Sequence, residues 1–144
     1  MNYIEPGSYE KALMICVEAH WGTPRRFSSE PYCIHPITVS QYLKEYAIEY
    51  QIVGLLHDVV EDTDMTLDRL RKIDFSEEII EAIDAITQRG HESNEVYIKR
   101  CNKNKIARIV KVADMLHNLK DFHLFGKDNQ IRQIKKQILY MVSN

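Results

Sequence analysis

The sequence predicts an all-α domain. Three observations point that way. Apolar residues recur at i, i+3 and i+4 in successive segments, polar residues with capping side chains stand before several of them, and no segment shows sustained alternation of apolar and polar residues. The elements follow in order. Pro6-Gly7 makes a turn, and Ser8 caps a helix to about His20, with Ala12, Leu13, Cys16, Val17 and Ala19 on its apolar face and Gly22 ending it. Thr23 to Tyr32 holds Pro24, Arg25, Arg26, Ser28, Ser29 and Pro31 and reads as a polar, basic loop. Pro36 suits the first turn of a second helix carrying Ile37, Val39, Tyr42 and Leu43, with His35 at its N-terminal edge.

A third helix is expected to run unbroken through Ile52, Leu55, Leu56, Val59 and Val60 to Thr63-Asp64, with His57, Asp58, Glu61 and Asp62 on its other side. Thr66 caps a short helix, Leu67 to Ile73, and Ser76-Glu77-Glu78 starts another that buries Ile79, Ile80, Ile83 and Ile86. After a turn at Gln88-Arg89-Gly90-His91, Ser93 to Cys101 is helical, with Val96 and Tyr97 as its apolar contacts. Lys105 to about Phe122 and Gln130 to Val142 complete the set, separated by Gly126.

The 144 residues suit one domain, 1–144, with a core of its own. A formal net charge of −2 gives no argument for nucleic acid or an anionic membrane as partner. No apolar run approaches the roughly 18 residues needed to span a bilayer, and Met1 to Pro6 does not read as a signal peptide. Cys16, Cys33 and Cys101 show no CxxC spacing and read as reduced thiols, so the expected location is cytoplasmic. The Lys127 to Lys136 charges read as a solvated face.

Leu55-Leu56-His57-Asp58-Val59-Val60-Glu61-Asp62-Thr63 is where chemistry concentrates. Glu61 lies three residues after Asp58, and Asp62 four after it, so three carboxylates crowd beside an apolar core. Their repulsion raises proton affinities unless a cation sits among them. A bound divalent metal and a solvated acidic helix edge are both open on this segment alone. Two further donors stand in apolar surroundings: His35, before Pro36, and Asp114, in Val110-Lys111-Val112-Ala113-Asp114. His35, His57, Asp58 and Asp114 together offer two neutral imidazoles and two carboxylates, which balance one divalent ion and suit Mn²⁺, Fe²⁺, Co²⁺ or Zn²⁺. The competing explanations are a helix-capping imidazole at His35 and a buried salt bridge from Asp114 to Lys111.

The ordered His…His-Asp…Asp set resembles the HD superfamily of metal-dependent phosphohydrolases. Ala19-His20-Trp21-Gly22, Glu30-Pro31-Tyr32-Cys33-Ile34-His35-Pro36, the Leu55–Thr63 stretch, Val110–Asp114 and His117-Asn118 look most like the hydrolase domain of the RelA/SpoT alarmone enzymes and their small stand-alone relatives, over about residues 9 to 125. The resemblance implies the HD-domain helical fold and metal ligation, usually of one Mn²⁺, by His35, His57, Asp58 and Asp114. It implies a catalytic role on the attacking water for Glu61 and Asp62. It also implies a nucleotide contact at Asn118 and a phosphate contact at Arg25 or Arg26, the count from His20 favouring the first and the count from Glu30 the second. Tyr97 and Arg100 are candidates to border the substrate, against core packing for Tyr97 and a solvated charge for Arg100. His117, three residues after Asp114, is a candidate to support the ligands.

The implied activity is removal of the 3′-pyrophosphate of guanosine tetra- or pentaphosphate. The alternatives are a nucleotidase releasing orthophosphate from another nucleotide, and a non-catalytic nucleotide-binding module. Thr23 stands where the family has a glutamine, Lys120 where it has an arginine, and Met115 and Leu116 are expected to alter the nucleoside pocket. No synthetase domain is expected within these 144 residues, so alarmone synthesis is not expected. The expected partners are a small phosphorylated nucleotide and, through apolar surface on the terminal helices, a second copy of the chain.

Overall fold

A computed structural model describes residues 3–144; Met1 and Asn2, which open the expected 1–144 unit, lie outside the described residues. Among the described residues the chain forms nine α-helices: α1 Tyr9–Ala19, α2 Ile34–Tyr42, α3 Ile48–Leu56, α4 Val59–Asp62, α5 Leu67–Lys72, α6 Glu77–Ile86, α7 Asn94–Asn102, α8 Lys105–Leu124 and α9 Asp128–Ser143. An isolated antiparallel bridge between Pro24 and Pro31 ties the ends of the basic loop together.

The helix starts follow from local chemistry. Ser8, Thr66, Ser76, Ser93 and Asn104 each accept a backbone N–H from the first turn of the helix that follows, satisfying donors that have no helical partner. Pro36 sits in the first turn of α2, where its missing N–H costs nothing.

The third helix departs from expectation. It is broken between α3 and α4 at His57-Asp58, and Asp58 takes φ −105° and ψ −5°. The His57 ring supplies the reason: its Nδ1 lies 2.7 Å from the Gly54 carbonyl, the acceptor that an unbroken helix would give to the Asp58 N–H. Nor does His57 lie on an outer face. Every residue from Ile52 to His57 is buried, because α3 packs between α1, α2, α6 and α8. A helix that is apolar almost all round belongs in the centre of a bundle.

Gly54 allows this packing. A Cβ there would lie 3.1 Å from the Ser40 Cα and 3.2 Å from the Ser40 N, both backbone atoms of α2. Overpacking of this kind costs about 1–3 kcal/mol, against at most about 1 kcal/mol gained in helix propensity. Gly54→Ala is therefore expected to lower unfolding free energy by on the order of 1 kcal/mol, checked by urea denaturation; a gain in stability would contradict the close approach of α2 and α3.

Candidate metal centre and its surroundings

Four side chains converge, His35 from α2, Asp114 from α8, and His57 and Asp58 from the α3–α4 break. One ligand atom from each of His35, His57, Asp58 and Asp114 lies within 4.8 Å of the others. His35 Nε2 is 2.7 Å from Asp114 Oδ1 and 3.8 Å from Asp58 Oδ2. His57 Nε2 is 3.1 Å from Asp58 Oδ2 and 3.3 Å from Asp114 Oδ1. Donors about 2.1 Å from one ion stand roughly 3 Å apart when adjacent around it, so the donor set fits a single divalent cation.

The imidazoles are held for this. His57 Nδ1 donates to the Gly54 carbonyl, which leaves Nε2 turned inward. His35 Nδ1 is 2.7 Å from Nδ1 of His117, likewise directing Nε2 into the cluster. Burial together with the neighbouring His35 and Arg25 pushes the His117 pKa down to about 4, so it stays neutral and can accept from His35. Asp58 accepts from the Tyr32 hydroxyl at 2.6 Å. Asp114 gives Oδ2 to Lys111 at 2.9 Å and Oδ1 to the Asn118 amide at 3.2 Å. The salt bridge weighed against ligation is thus present beside it, on the other carboxylate oxygen.

Electrostatically the cluster draws in positive charge. Burial works to lower the His57 pKa, but Asp58 and Asp114 outweigh it and hold it well above the usual imidazole range. Burial likewise works to raise Asp58, yet His57 keeps its carboxyl below the usual range. Without a metal the cluster therefore keeps a proton, and metal binding releases it.

Glu61 and Asp62, on α4, form a second carboxylate group with Asp58, their oxygens again within 4.8 Å of one another. Glu61 Oε1 accepts the Gln88 N–H at 2.7 Å. Burial raises its pKa and that hydrogen bond offsets part of the rise. Burial, then repulsion from Asp58 and Glu61, pushes Asp62 up to about 6. A raised folded-state pKa favours the protonated protein, so the contribution is full below the unfolded value near 4 and is lost as pH rises through about 6. In EDTA-treated protein, Asp62→Asn is expected to flatten the fall in melting temperature between pH 4 and 7; an unchanged fall would show that Asp62 does not titrate there.

Arg25 and Arg26 part company. Arg25 is buried, pairing with Asp121 at 2.6 Å and donating to the Asn118 Oδ1 at 3.0 Å, so Asn118 joins it to Asp114. Arg26 is exposed, over the Phe27 ring. Tyr97 and Arg100 do not turn toward the cluster. The Tyr97 hydroxyl donates to the Ile86 carbonyl, and Arg100 binds Glu92 and the end of α6. Met115 and Leu116 do not wall this site either. Met115 is in the core, and Leu116 lines a separate groove of about 710 Å³ with Tyr42, Tyr46 and Met141. On a helix they lie about 100° and 200° round from Asp114, whereas His117, Asn118 and Asp121 return to its face. Tyr32 was the contact that sequence reasoning left unassigned; its spacing three residues before His35 was the available signal. Cys16 and Cys101 are buried, and burial pushes both thiols up to about 12, as suits packing; Cys33 precedes α2, outside the cluster and without a side-chain capping bond.

An all-helical fold holding an ordered His, His-Asp and Asp cluster defines the HD class. The chain belongs to the HD domain family, whose model matches residues 32–119. Among its relatives it is 38% identical to a guanosine-3′,5′-bis(diphosphate) 3′-pyrophosphohydrolase of Borreliella burgdorferi, over 91% of this chain and 21% of that protein. It is 27% identical to the bifunctional (p)ppGpp synthase/hydrolase SpoT of Escherichia coli, over 92% of this chain and 20% of that protein. The chain thus spans about a fifth of the length of these curated relatives. A solved structure described as a metazoan ortholog of SpoT that hydrolyses ppGpp superposes with a TM-score of 0.81 at 24% identity, over 98% of this chain and 88% of that one, and shows the same fold. No helix among the described residues is long and apolar enough to cross a membrane.

Proposed function

We propose that residues 1–144 act as one metal-dependent phosphohydrolase unit that removes the 3′-pyrophosphate of guanosine tetra- or pentaphosphate, in the cytoplasm and with Mn²⁺ as the ion. One observation carries the chemistry: a four-donor cluster adjoins a second carboxylate group, and the two share Asp58. The names of the relatives supply the substrate.

His35, His57, Asp58 and Asp114 would hold the ion. A divalent ion in such a site polarises a phosphoryl oxygen and lowers the pKa of water. Glu61 and Asp62 then orient the attacking water and take its proton, as carboxylates of raised proton affinity next to a cluster that repels further negative charge. Arg25, oriented by Asp121 and Asn118, keeps the two N–H groups of Nη1 for substrate phosphate. Asn118 contacts the nucleotide from the same helix face.

Reconstitution with Mn²⁺ and a nucleotide screen that resolves pyrophosphate from orthophosphate tests this. Pyrophosphate from guanosine tetraphosphate, lost in Asp58→Ala, is the expected result. Orthophosphate from a different nucleotide would move the chain to the nucleotidase alternative, and no turnover with metal bound would leave a binding module. Met115 and Leu116 lie away from the cluster, so they leave the metal centre common to both hydrolase readings unaltered.

A further inference from the structure

The C-terminal end of α6 is held by α7 to an unusual extent. The last carbonyls of a helix have no helical partner. Here four consecutive ones are taken by two side chains of α7. The Tyr97 hydroxyl donates to Ile86 O, and Arg100 donates to Asp84 O at 3.2 Å, Ala85 O at 3.3 Å and Thr87 O at 2.8 Å. Arg100 also grips the Glu92 carboxylate through Nε at 2.8 Å and Nη2 at 2.9 Å. A guanidinium has five N–H donors, and these contacts engage all five, so none remains for a phosphate.

Glu92 carries the hold into the connecting loop. Its carboxylate accepts the Arg89 N–H at 3.0 Å, and its carbonyl accepts the Gln88 side-chain amide at 3.1 Å. The loop is therefore closed on itself between Thr87 and Glu92. From it the Gln88 backbone N–H donates to Glu61 Oε1 at 2.7 Å. Glu61 otherwise stands on a one-turn helix at the protein surface, where a long carboxylate side chain has several rotamers to choose from.

We infer that Tyr97, Arg100 and Glu92 are positioning residues, which hold the 84–92 segment so that the Gln88 N–H fixes the Glu61 carboxylate beside Asp58 and Asp62. This role rests on the proposed use of Glu61 to orient and deprotonate water. With Oε1 tied to the backbone, Oε2 is left to face the water. From Arg100 and Glu92 the hold reaches the reacting atoms through Glu61, so these two govern turnover and not affinity, whereas Tyr97 also lies against Lys111, the partner of Asp114.

Amide hydrogen exchange and steady-state kinetics on the whole chain test it together. Gln88→Pro removes the N–H together with the side-chain amide that donates to the Glu92 carbonyl, and the control Gln88→Ala removes that amide alone. Thr87, at φ −90° and ψ 116°, already has a conformation that a following proline accepts. Arg100→Met and Glu92→Gln open the loop from its far side. Misplacing a catalytic group by about 1 Å can cost on the order of 100-fold. Each variant is therefore expected to lower kcat by about 10- to 100-fold, with KM changed less than about threefold and Mn²⁺ affinity unchanged. In a Glu61→Gln background the same substitutions should change kcat by less than about twofold, since the group they position is already disabled. The Gln88 amide should be protected in the wild type and exchange at least about tenfold faster in Glu61→Ala and Arg100→Met.

A folded Gln88→Pro with wild-type kcat would overturn the inference. So would losses that add fully to Glu61→Gln, or a rise in KM alone for Arg100→Met, which would make Arg100 a substrate ligand. Should Arg100→Met fail to fold, Glu92→Gln and Gln88→Pro decide. A Gln88 amide unprotected in the wild type overturns the positioning contact whether or not any nucleotide is hydrolysed. A protected amide in a protein without turnover would leave that contact standing and reject only the proposed reaction.

Discussion

Replacing Asp114 by alanine is expected to remove metal binding and hydrolysis together and to destabilise the protein. Its Oδ1 lies 2.7 Å from His35 Nε2 and 3.3 Å from His57 Nε2, so the cluster loses the oxygen that faces both imidazoles. Its Oδ2 is the partner of Lys111, whose side chain is only 18% exposed. Breaking one side of a buried ion pair costs about 3–5 kcal/mol, because the surviving charge stays desolvated. Turnover should fall on the order of 10³-fold or more, the several kcal/mol that a divalent ion contributes to charge stabilisation. Asp114→Asn keeps the shape and the Asn118 contact but withdraws the charge, so it should lose the ion and the Lys111 pair without the cavity that alanine leaves. Calorimetric titration with Mn²⁺ and thermal unfolding with and without EDTA measure both. Unchanged Mn²⁺ affinity in Asp114→Ala would remove Asp114 from the ligand set, leaving it only the ion pair with Lys111.

Glu61→Gln is expected to separate chemistry from metal binding. The amide oxygen can still accept the Gln88 N–H, so the local structure survives, while the capacity to take a proton is lost. A positioned general base contributes about 10²- to 10⁴-fold, and kcat should fall in that range with Mn²⁺ affinity held within about threefold. Single-turnover kinetics beside calorimetry would check it. If Mn²⁺ affinity collapsed with turnover, Glu61 would be a ligand and not the group that handles water. Asp114→Ala and Glu61→Gln thus predict different pairs of outcomes at neighbouring carboxylates.

These expectations depend on features of unequal legibility. Ser8, Thr66 and Ser76 announce their helices because capping is a contact between residues three apart. The apolar spacing of α6, with Ile79, Ile80, Ile83 and Ile86 buried, needs nothing beyond one helix. The His57-Asp58 break was not legible. The same apolar periodicity continues through Val59, and only the His57 side chain, competing for the Gly54 carbonyl, ends α3 there. Met115 and Leu116, which the resemblance sets beside a nucleoside pocket, lie away from the metal cluster, Met115 in the core and Leu116 in a separate groove, because they occupy other faces of α8 than Asp114.

Apart from the division of α3 from α4, the sequence by itself determined the helices, their order, and the identity and order of the donors His35, His57, Asp58 and Asp114, because side-chain type and local periodicity are properties of short segments. Tertiary structure alone decided that His35 and Asp114, 79 positions apart, present their ligand atoms 2.7 Å from each other. It also chose Arg25 over Arg26 for the interior, through Asp121 and Asn118, and gave Tyr97 and Arg100 to the end of α6. Such choices turn on which polar group finds a partner once the helices pack. A buried donor without a partner costs about 1–3 kcal/mol, and periodicity carries no record of where that partner will be.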